Sequence, residues 1–146
     1  MTSPLSVLTC SVGNTNPDNP LGLEIWVDDQ LILDIKQLVT TVNWSYEISD
    51  DPAEHVLKFV LKNKTQDHTV IDDLGNIISD TCLTITDIKF DGIELGHLFV
   101  EESEYHHDFN GTQPSIVEPF FGNMGCNGQV EFRFTSPAYI WLLENT

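Results

Sequence analysis

From Gly22 to Val27 the chain alternates: Leu23, Ile25 and Val27 fall on one side of an extended backbone, and Glu24, Trp26 and Asp28 on the other. The pattern predicts a half-buried strand with Trp26 on its outer side. Asp28-Asp29 interrupts it and Gln30 to Ile35 is a second β-prone run, so the two predict a hairpin. Trp44, Tyr46 and Ile48 alternate with Ser45 and Glu47. After the turn Asp50-Asp51-Pro52, the run Glu54 to Lys62 puts Leu57, Phe59 and Leu61 on one face. Cys82 to Phe90 is β-prone, but its apolar parity changes between Ile85 and Ile88. One extra residue swaps the faces, which predicts a bulge near Thr86-Asp87. Gly75 and Asp91-Gly92 mark turns. Asn127-Gly128 is the strongest hairpin signal, because both residues tolerate the positive φ of a type I′ turn, and Val130, Phe132 and Phe134 alternate after it. The run Ala138 to Leu143 fits either a buried strand or a short helix starting after Pro137.

Many short strands with no long amphipathic helix between them predict an all-β single domain, an antiparallel sandwich or barrel. Residues 1–20, rich in Pro, Asn and Ser, read as an irregular N-terminal arm ahead of a sandwich spanning 21–146. Leu95 to Gly125, rich in acids, His, Gly and Pro, reads as irregular.

Six Lys and Arg against 23 Asp and Glu give a net charge of -17. Such a field repels nucleic acid and anionic membranes, and attracts divalent cations and basic protein surfaces. A 146-residue chain buries enough surface to fold without a metal or disulfide. The three cysteines are far apart, with no CxxC, which points away from a disulfide framework or zinc site and toward synthesis in a reducing cytoplasm. MTSPLSVLTCSVGNTNPDNP has no basic n-region or membrane-length apolar stretch, so no export signal or anchor is expected.

No HExxH, GxSxG, phosphate loop or GxGxxG occurs, so no catalytic residues and no enzyme are expected. Three features carry other chemistry. The carboxylate-rich turns (Asp28-Asp29; Asp72-Asp73 with Asn76 and Asp80; Asp87 with Asp91) hold the oxygen ligands calcium takes, although Asp also favours turns on its own account. Glu101, Glu102 and Glu104 beside His106, His107 and Asp108 read as a pH-responsive or metal-binding loop, or as a solvated acidic one. Trp26 and Tyr105 lie off the core parity, where aromatic faces meet sugars or partner proteins, self-association included.

The order LEIWVDDQLIL, WSYEI, EHVLKFVLKNKT, TITDIKFDGIEL resembles calcium-dependent xylan-binding modules over Gly22 to Leu95. That resemblance implies a jelly-roll-like sandwich and makes Asp87 and Asp91 calcium ligands, with Asp72 and Asp73 as further candidates from their turn. KNKTQDHTVIDDLGNIISD, HHDFNGTQP, NMGCNG and SPAYIWLLENT are similar to a recurring structural protein of contractile-tailed phages of marine cyanobacteria, from Glu54 to the C-terminus. The combined expectation is a non-catalytic sandwich made in a host cytoplasm and carried on a tailed-phage virion. There it would decorate capsid or tail, touch virion proteins and adhere weakly to cell-surface polysaccharide. The alternative is a free calcium-dependent polysaccharide-binding module.

Overall fold

A computed structural model describes residues 5–65, 69–108 and 111–145. In chain order its elements are β1 (Leu5–Asn14), β2 (Leu21–Val27), β3 (Gln30–Leu38), β4 (Val42–Ser49), β5 (Ala53–Lys62), β6 (Val70–Ile71), β7 (Ile77–Ser79), β8 (Leu83–Phe90), β9 (Ile93–Glu94), α1 (His97–Glu102), β10 (Ser103–His107), β11 (Ile116–Pro119), β12 (Asn123–Met124), β13 (Gly128–Ser136) and α2 (Ala138–Asn145). One sheet runs β12-β8-β1-β4, with β9 added to β8, and the other runs β11-β10-β13-β5-β2-β3. All pairings are antiparallel, and β6 and β7 form a separate two-stranded hairpin. The all-β antiparallel sandwich expected from the alternation is the fold observed.

The core lies between the two inner faces. Leu23, Ile25, Leu57, Phe59, Leu61, Val130, Phe132 and Phe134 of the six-stranded sheet are each 2% exposed or less. Leu8, Val12, Leu83 and Phe90 come from the other sheet. Trp44 meets Phe59 edge-on across the layers, with ring centroids 6.0 Å apart. Side chains buried this fully contribute about 1.5–3 kcal/mol each to the closure of the sandwich.

The parity change in β8 is a bulge. Thr9 pairs with Lys89 but Ser11 pairs with Thr86, so β8 spends three residues where β1 spends two. Asp87 takes up the slack at φ 55°, a conformation that Asp tolerates better than most side chains. The Cys10 thiol fills the inner side of the gap, donating to the Thr86 carbonyl at 3.5 Å. Burial pushes the pKa of that thiol up to about 12. Asp28-Asp29, at φ 51° and 66°, is the tight two-residue turn between β2 and β3, and Asp91-Gly92, at φ 52° and 81°, closes β8 on β9.

Several expectations are overturned. Residues 5–14 of the supposed arm form β1, which lies between β8 and β4 at the centre of its sheet, with Leu8, Cys10 and Val12 in the core. Residues 1–4 lie outside the described residues. Leu5 and Val7 on the outer side blur the alternation of Leu8, Cys10 and Val12, and the Pro- and Asn-rich stretch that follows masked it further. Asn127-Gly128 is no hairpin turn. Gly128 already pairs within β13, and β12 before it belongs to the other sheet. Its requirement for glycine is steric: a Cβ there would sit 2.3 Å from the His106 carbonyl oxygen. Asn127 clamps β5 to β13 instead, accepting from the Lys64 N–H and donating to its carbonyl at 2.9 and 2.8 Å. The stretch 95–125 contains α1, β10, β11 and β12. After Ser136-Pro137, the terminal apolar run is helical and seats Trp141 against Phe132 at 5.4 Å.

Candidate functional site

The supposed acidic loop is a central strand. In β10, Ser103, Tyr105 and His107 point inward and are 3%, 5% and 6% exposed, while Glu104 and His106 point out. Tyr105 therefore presents no face to a ligand, contrary to the sequence reading. Its hydroxyl donates to the Cys126 carbonyl and accepts from the Cys126 N–H at 2.8 Å, and burial raises its pKa. His107 packs at a tilt against Tyr105, with ring centroids 4.5 Å apart, and its Nε2 lies 2.7 Å from Glu118 Oε1. Glu104 and His106 thus share the outer face while His107 is turned inward, and among the described residues these side chains do not gather as a metal site.

The aspartates proposed for calcium do not converge. Asp72 Oδ1 accepts the N–H groups of Leu74 and Asn76 at 2.9 Å each. Its pKa is lowered, first by the Asn76 N–H, and its charge serves its own turn. Asp73 is exposed on the same hairpin. Asp91 Oδ1 accepts the Val7 N–H at 2.7 Å, and Asp87 occupies the bulge. Among the described residues no three His, Cys, Asp or Glu side chains gather as a metal site. Calcium's usual six to eight oxygens are not assembled from these residues.

A carboxylate, an imidazole and a hydroxyl do meet elsewhere. His55 Nδ1 lies 2.6 Å from Asp28 Oδ2, and Nε2 lies 3.0 Å from Ser136 Oγ. That sequence of groups can activate a serine nucleophile. Here, however, Ser136 Oγ is 2.5 Å from the Asp51 carbonyl oxygen, which can only accept. The hydroxyl hydrogen is directed at that carbonyl, so the Ser136 proton is not offered to Nε2 in this arrangement. Ser136 is also only 6% exposed. With Asp28 Oδ1 accepting the Val56 N–H at 2.9 Å, the set ties the β2–β3 turn to β5 and the end of β13. Its role is structural.

The outer face of the six-stranded sheet offers a different arrangement. Register places Leu31, Trp26, Lys58, Glu131, Glu104 and Pro119 side by side in one row. The next row is Asp34, Glu24, Val60, Gln129, His106 and Val117. Directly opposed residues share a face, and four strands span roughly 14 Å, so Trp26 and His106 stand that far apart. Trp26 is half-buried and its indole N–H donates to Glu24 Oε1 at 3.0 Å. Lys62 binds the other oxygen of Glu24, and that contact first of all lowers the pKa of the carboxyl. Glu131 is the centre of the second group. Gln129 Nε2 donates to it at 3.0 Å, and His106 Nε2, Arg133 and Lys58 lie within 3.1, 3.4 and 3.8 Å. Beside them a shallow cleft of about 550 Å³ is floored by Val60 and Val117 and walled by His106, Asp108, Asn127 and Gln129. The face holds Lys58, Lys62 and Arg133, half of the chain's six Lys and Arg, each beside an acid. Its charges are compensated while the rest of the surface is acidic. Sequence inspection found Trp26 but not its neighbours, which only strand register brings together.

No family's sequence model matches the chain, and no curated protein matches it in sequence. Among solved structures it is similar to vCBM60, from work linking two families of calcium-dependent carbohydrate-binding modules by circular permutation. The TM-score is 0.54 at 10% identity, with 87% of this chain and 89% of that chain covered. At that identity the likeness establishes the fold alone: this chain shares the β-sandwich of that structure.

Proposed function

We propose that this chain is a non-catalytic carbohydrate-binding module whose ligand lies across the outer face of the six-stranded sheet. The observation that carries the proposal is the pair of registered rows, with an aromatic at one end and fixed donors and acceptors along the rest. Gln129 is held by its hydrogen bond to Glu131, with Lys58 and His106 at ion-pair distance from the same carboxylate, so part of the polar set is positioned before a ligand arrives. Because their charges cancel locally, the face suits a neutral, hydroxyl-rich chain, stacked on Trp26 and hydrogen-bonded toward the cleft. The calcium dependence of the structural neighbour is not part of this reading, since the four candidate aspartates are engaged or dispersed. Affinity electrophoresis through gels containing xylan, β-glucan or an acidic polysaccharide tests it. Retardation by a neutral polymer, unchanged by chelator and lost in Trp26→Ala with melting intact, is expected. Free migration through every gel, or retention by Trp26→Ala, refutes it.

Decoration of a tailed-phage particle is the second reading, and the observation that favours assembly is the apolar surface of the β6–β7 hairpin, where Leu74 is 86% exposed. Mass spectrometry of gradient-purified particles decides it: peptides of this chain support location on the virion, and their absence rejects it.

A further inference from the structure

Helix α2 lies over one end of the sandwich and seats Trp141 against Phe90, Phe132 and Phe134. Between α2, β9 and the start of α1 runs a cleft of about 310 Å³, away from the proposed glycan face. Leu95, Leu98 and Leu142, each 8% exposed or less, line its inner part. Ile93, Tyr139 and Leu143, at 56%, 53% and 75%, line its outer part. Tyr139 and Leu143 stand four residues apart on α2 and so share one side of the helix. The backbone fixes the inner part: the Leu95 N–H donates to the Ile88 carbonyl and the Leu98 N–H to the Leu95 carbonyl, both at 3.0 Å. All six apolar side chains line a single concavity.

Acids surround the opening. Glu94 lines it, Glu101 and Glu102 follow Leu98 by three and four residues on α1, and Glu144 follows Leu143 on α2; all four are exposed. Lys36, Lys58, Lys62, Lys64 and Arg133 each lie against an acid elsewhere in the fold. Only the remaining cation, Lys89, comes near, opposite Glu94 in the β8–β9 register. Four carboxylates thus stand here against one ammonium.

We propose that this cleft docks a basic amphipathic segment of a partner protein. The segment inserts one or two large apolar side chains and sets flanking Lys or Arg against Glu94, Glu101, Glu102 and Glu144. This is independent of the glycan reading. The volume is at the small end for ligand pockets, enough for side-chain anchors and too little for a folded domain. The acids decide between occupants. They repel nucleic acid and anionic membranes, and a second copy would bring a further net charge of -17 toward the same carboxylates. A basic amphipathic segment gains twice, from apolar burial in the cleft and from attraction at its rim, as when such a helix lies in a groove.

Fluorescence anisotropy of short synthetic peptides titrated with the full chain tests the proposal. The probes are a peptide of Leu and Lys in amphipathic order, a version with Ala for every Leu, and a version with Glu for every Lys. The Leu/Lys peptide should bind, more weakly as salt rises, and the other two at least about tenfold more weakly than it. Leu143→Asn, and the triple change Glu94→Gln, Glu101→Gln, Glu102→Gln, should each weaken its binding about tenfold with melting intact, because all four side chains are exposed. Leu74→Asn, on the β6–β7 hairpin, should leave binding unchanged. Equal binding of the Ala version overturns the proposal, since the overall field alone would then hold the peptide. Equal binding of the Glu version overturns it as well, by showing an apolar site indifferent to charge. So do failure of the Leu/Lys peptide to bind and binding that survives Leu143→Asn. A dimer in sedimentation equilibrium that is lost in Leu143→Asn gives the cleft to a second copy and overturns it too.

Discussion

Replacing Tyr105 with Phe separates the two roles that its side chain offers. The ring is 5% exposed, so Phe fills the same space and the change removes only the hydroxyl. That hydroxyl both donates to the carbonyl and accepts from the N–H of Cys126, in the segment joining β12 to β13. Burial raises its pKa, so it remains a donor at neutral pH. Its loss leaves two backbone groups without partners. Each buried unsatisfied group costs about 1–3 kcal/mol, and the partial exposure of Cys126 lets water relieve some of this. The expected destabilisation is about 2 kcal/mol, a fall in Tm of about 4–8 °C for a domain of this size. Urea unfolding followed by tryptophan fluorescence supplies the free energy, and affinity electrophoresis of the folded variant supplies binding. Lowered stability with unchanged retardation supports the buried, positioning role. A variant as stable as the wild type within about 0.5 kcal/mol, or one that is stable but no longer binds, refutes it and returns Tyr105 to the ligand.

Deleting residues 2–14 removes a central strand with Leu8, Cys10 and Val12, so the remainder should be unfolded by circular dichroism, and a cooperative melt would contradict the placement of β1. Gly128→Ala forces a Cβ to 2.3 Å from the His106 carbonyl oxygen and should cost about 2 kcal/mol or more in urea unfolding, whereas a neutral effect would mean that the strand pair relaxes freely. Asp80→Asn leaves the Lys64 ammonium, whose side chain is 1% exposed, without its counter-charge and should cost about 3 kcal/mol at pH 7. Burial raises the Asp80 pKa, but hydrogen bonds from Lys64, Thr69 and the Thr81 N–H outweigh it and the net shift is downward. Its contribution is therefore full above the unfolded carboxyl value near pH 4 and is lost as the pH falls below it. The stability gap between wild type and Asp80→Asn should narrow as the pH falls below about 4 in parallel melts, and a constant gap would exclude this linkage.

Much of the fold was legible because alternation reports which face a residue takes. Leu23, Ile25 and Val27, Leu57, Phe59 and Leu61, and Val130, Phe132 and Phe134 all face the core as their spacing predicts. The bulge was legible for the same reason, since only an inserted residue lets Ile85 and Ile88 face one side. Alternation fails where inward residues are not apolar. In β10 the inward positions are Ser103, Tyr105 and His107, with Glu104 and His106 outside, so a core strand has the composition of a polar loop. Turn chemistry misled at Asn127-Gly128 because two pressures select glycine. One is positive φ; the other is close backbone approach, which operates here.

The candidate site was less legible than the fold, for a geometric reason. A helix brings residues three or four apart onto one face, so a helical site leaves a short spacing in the sequence. On an antiparallel sheet, neighbours across the strands are set by register, and here Trp26, Lys58, Glu131 and Glu104 come from β2, β5, β13 and β10. No window of sequence contains two of them. The same holds for Asp28, His55 and Ser136, which meet within 3.0 Å although a search for local motifs has nothing to find. What decides between a site and a tie is then the environment of each atom. Ser136 Oγ is buried and committed to a carbonyl, so that group holds strands together. Trp26, Lys58 and Gln129 lie on an outer face with partly accessible side chains, and Trp26 and Gln129 are hydrogen-bonded to neighbouring glutamates. A polar set on an open face, part of it positioned before any ligand arrives, can give up part of its hydration for hydroxyl groups of similar chemistry, and it is on this ground that the outer sheet face is the one proposed for a ligand.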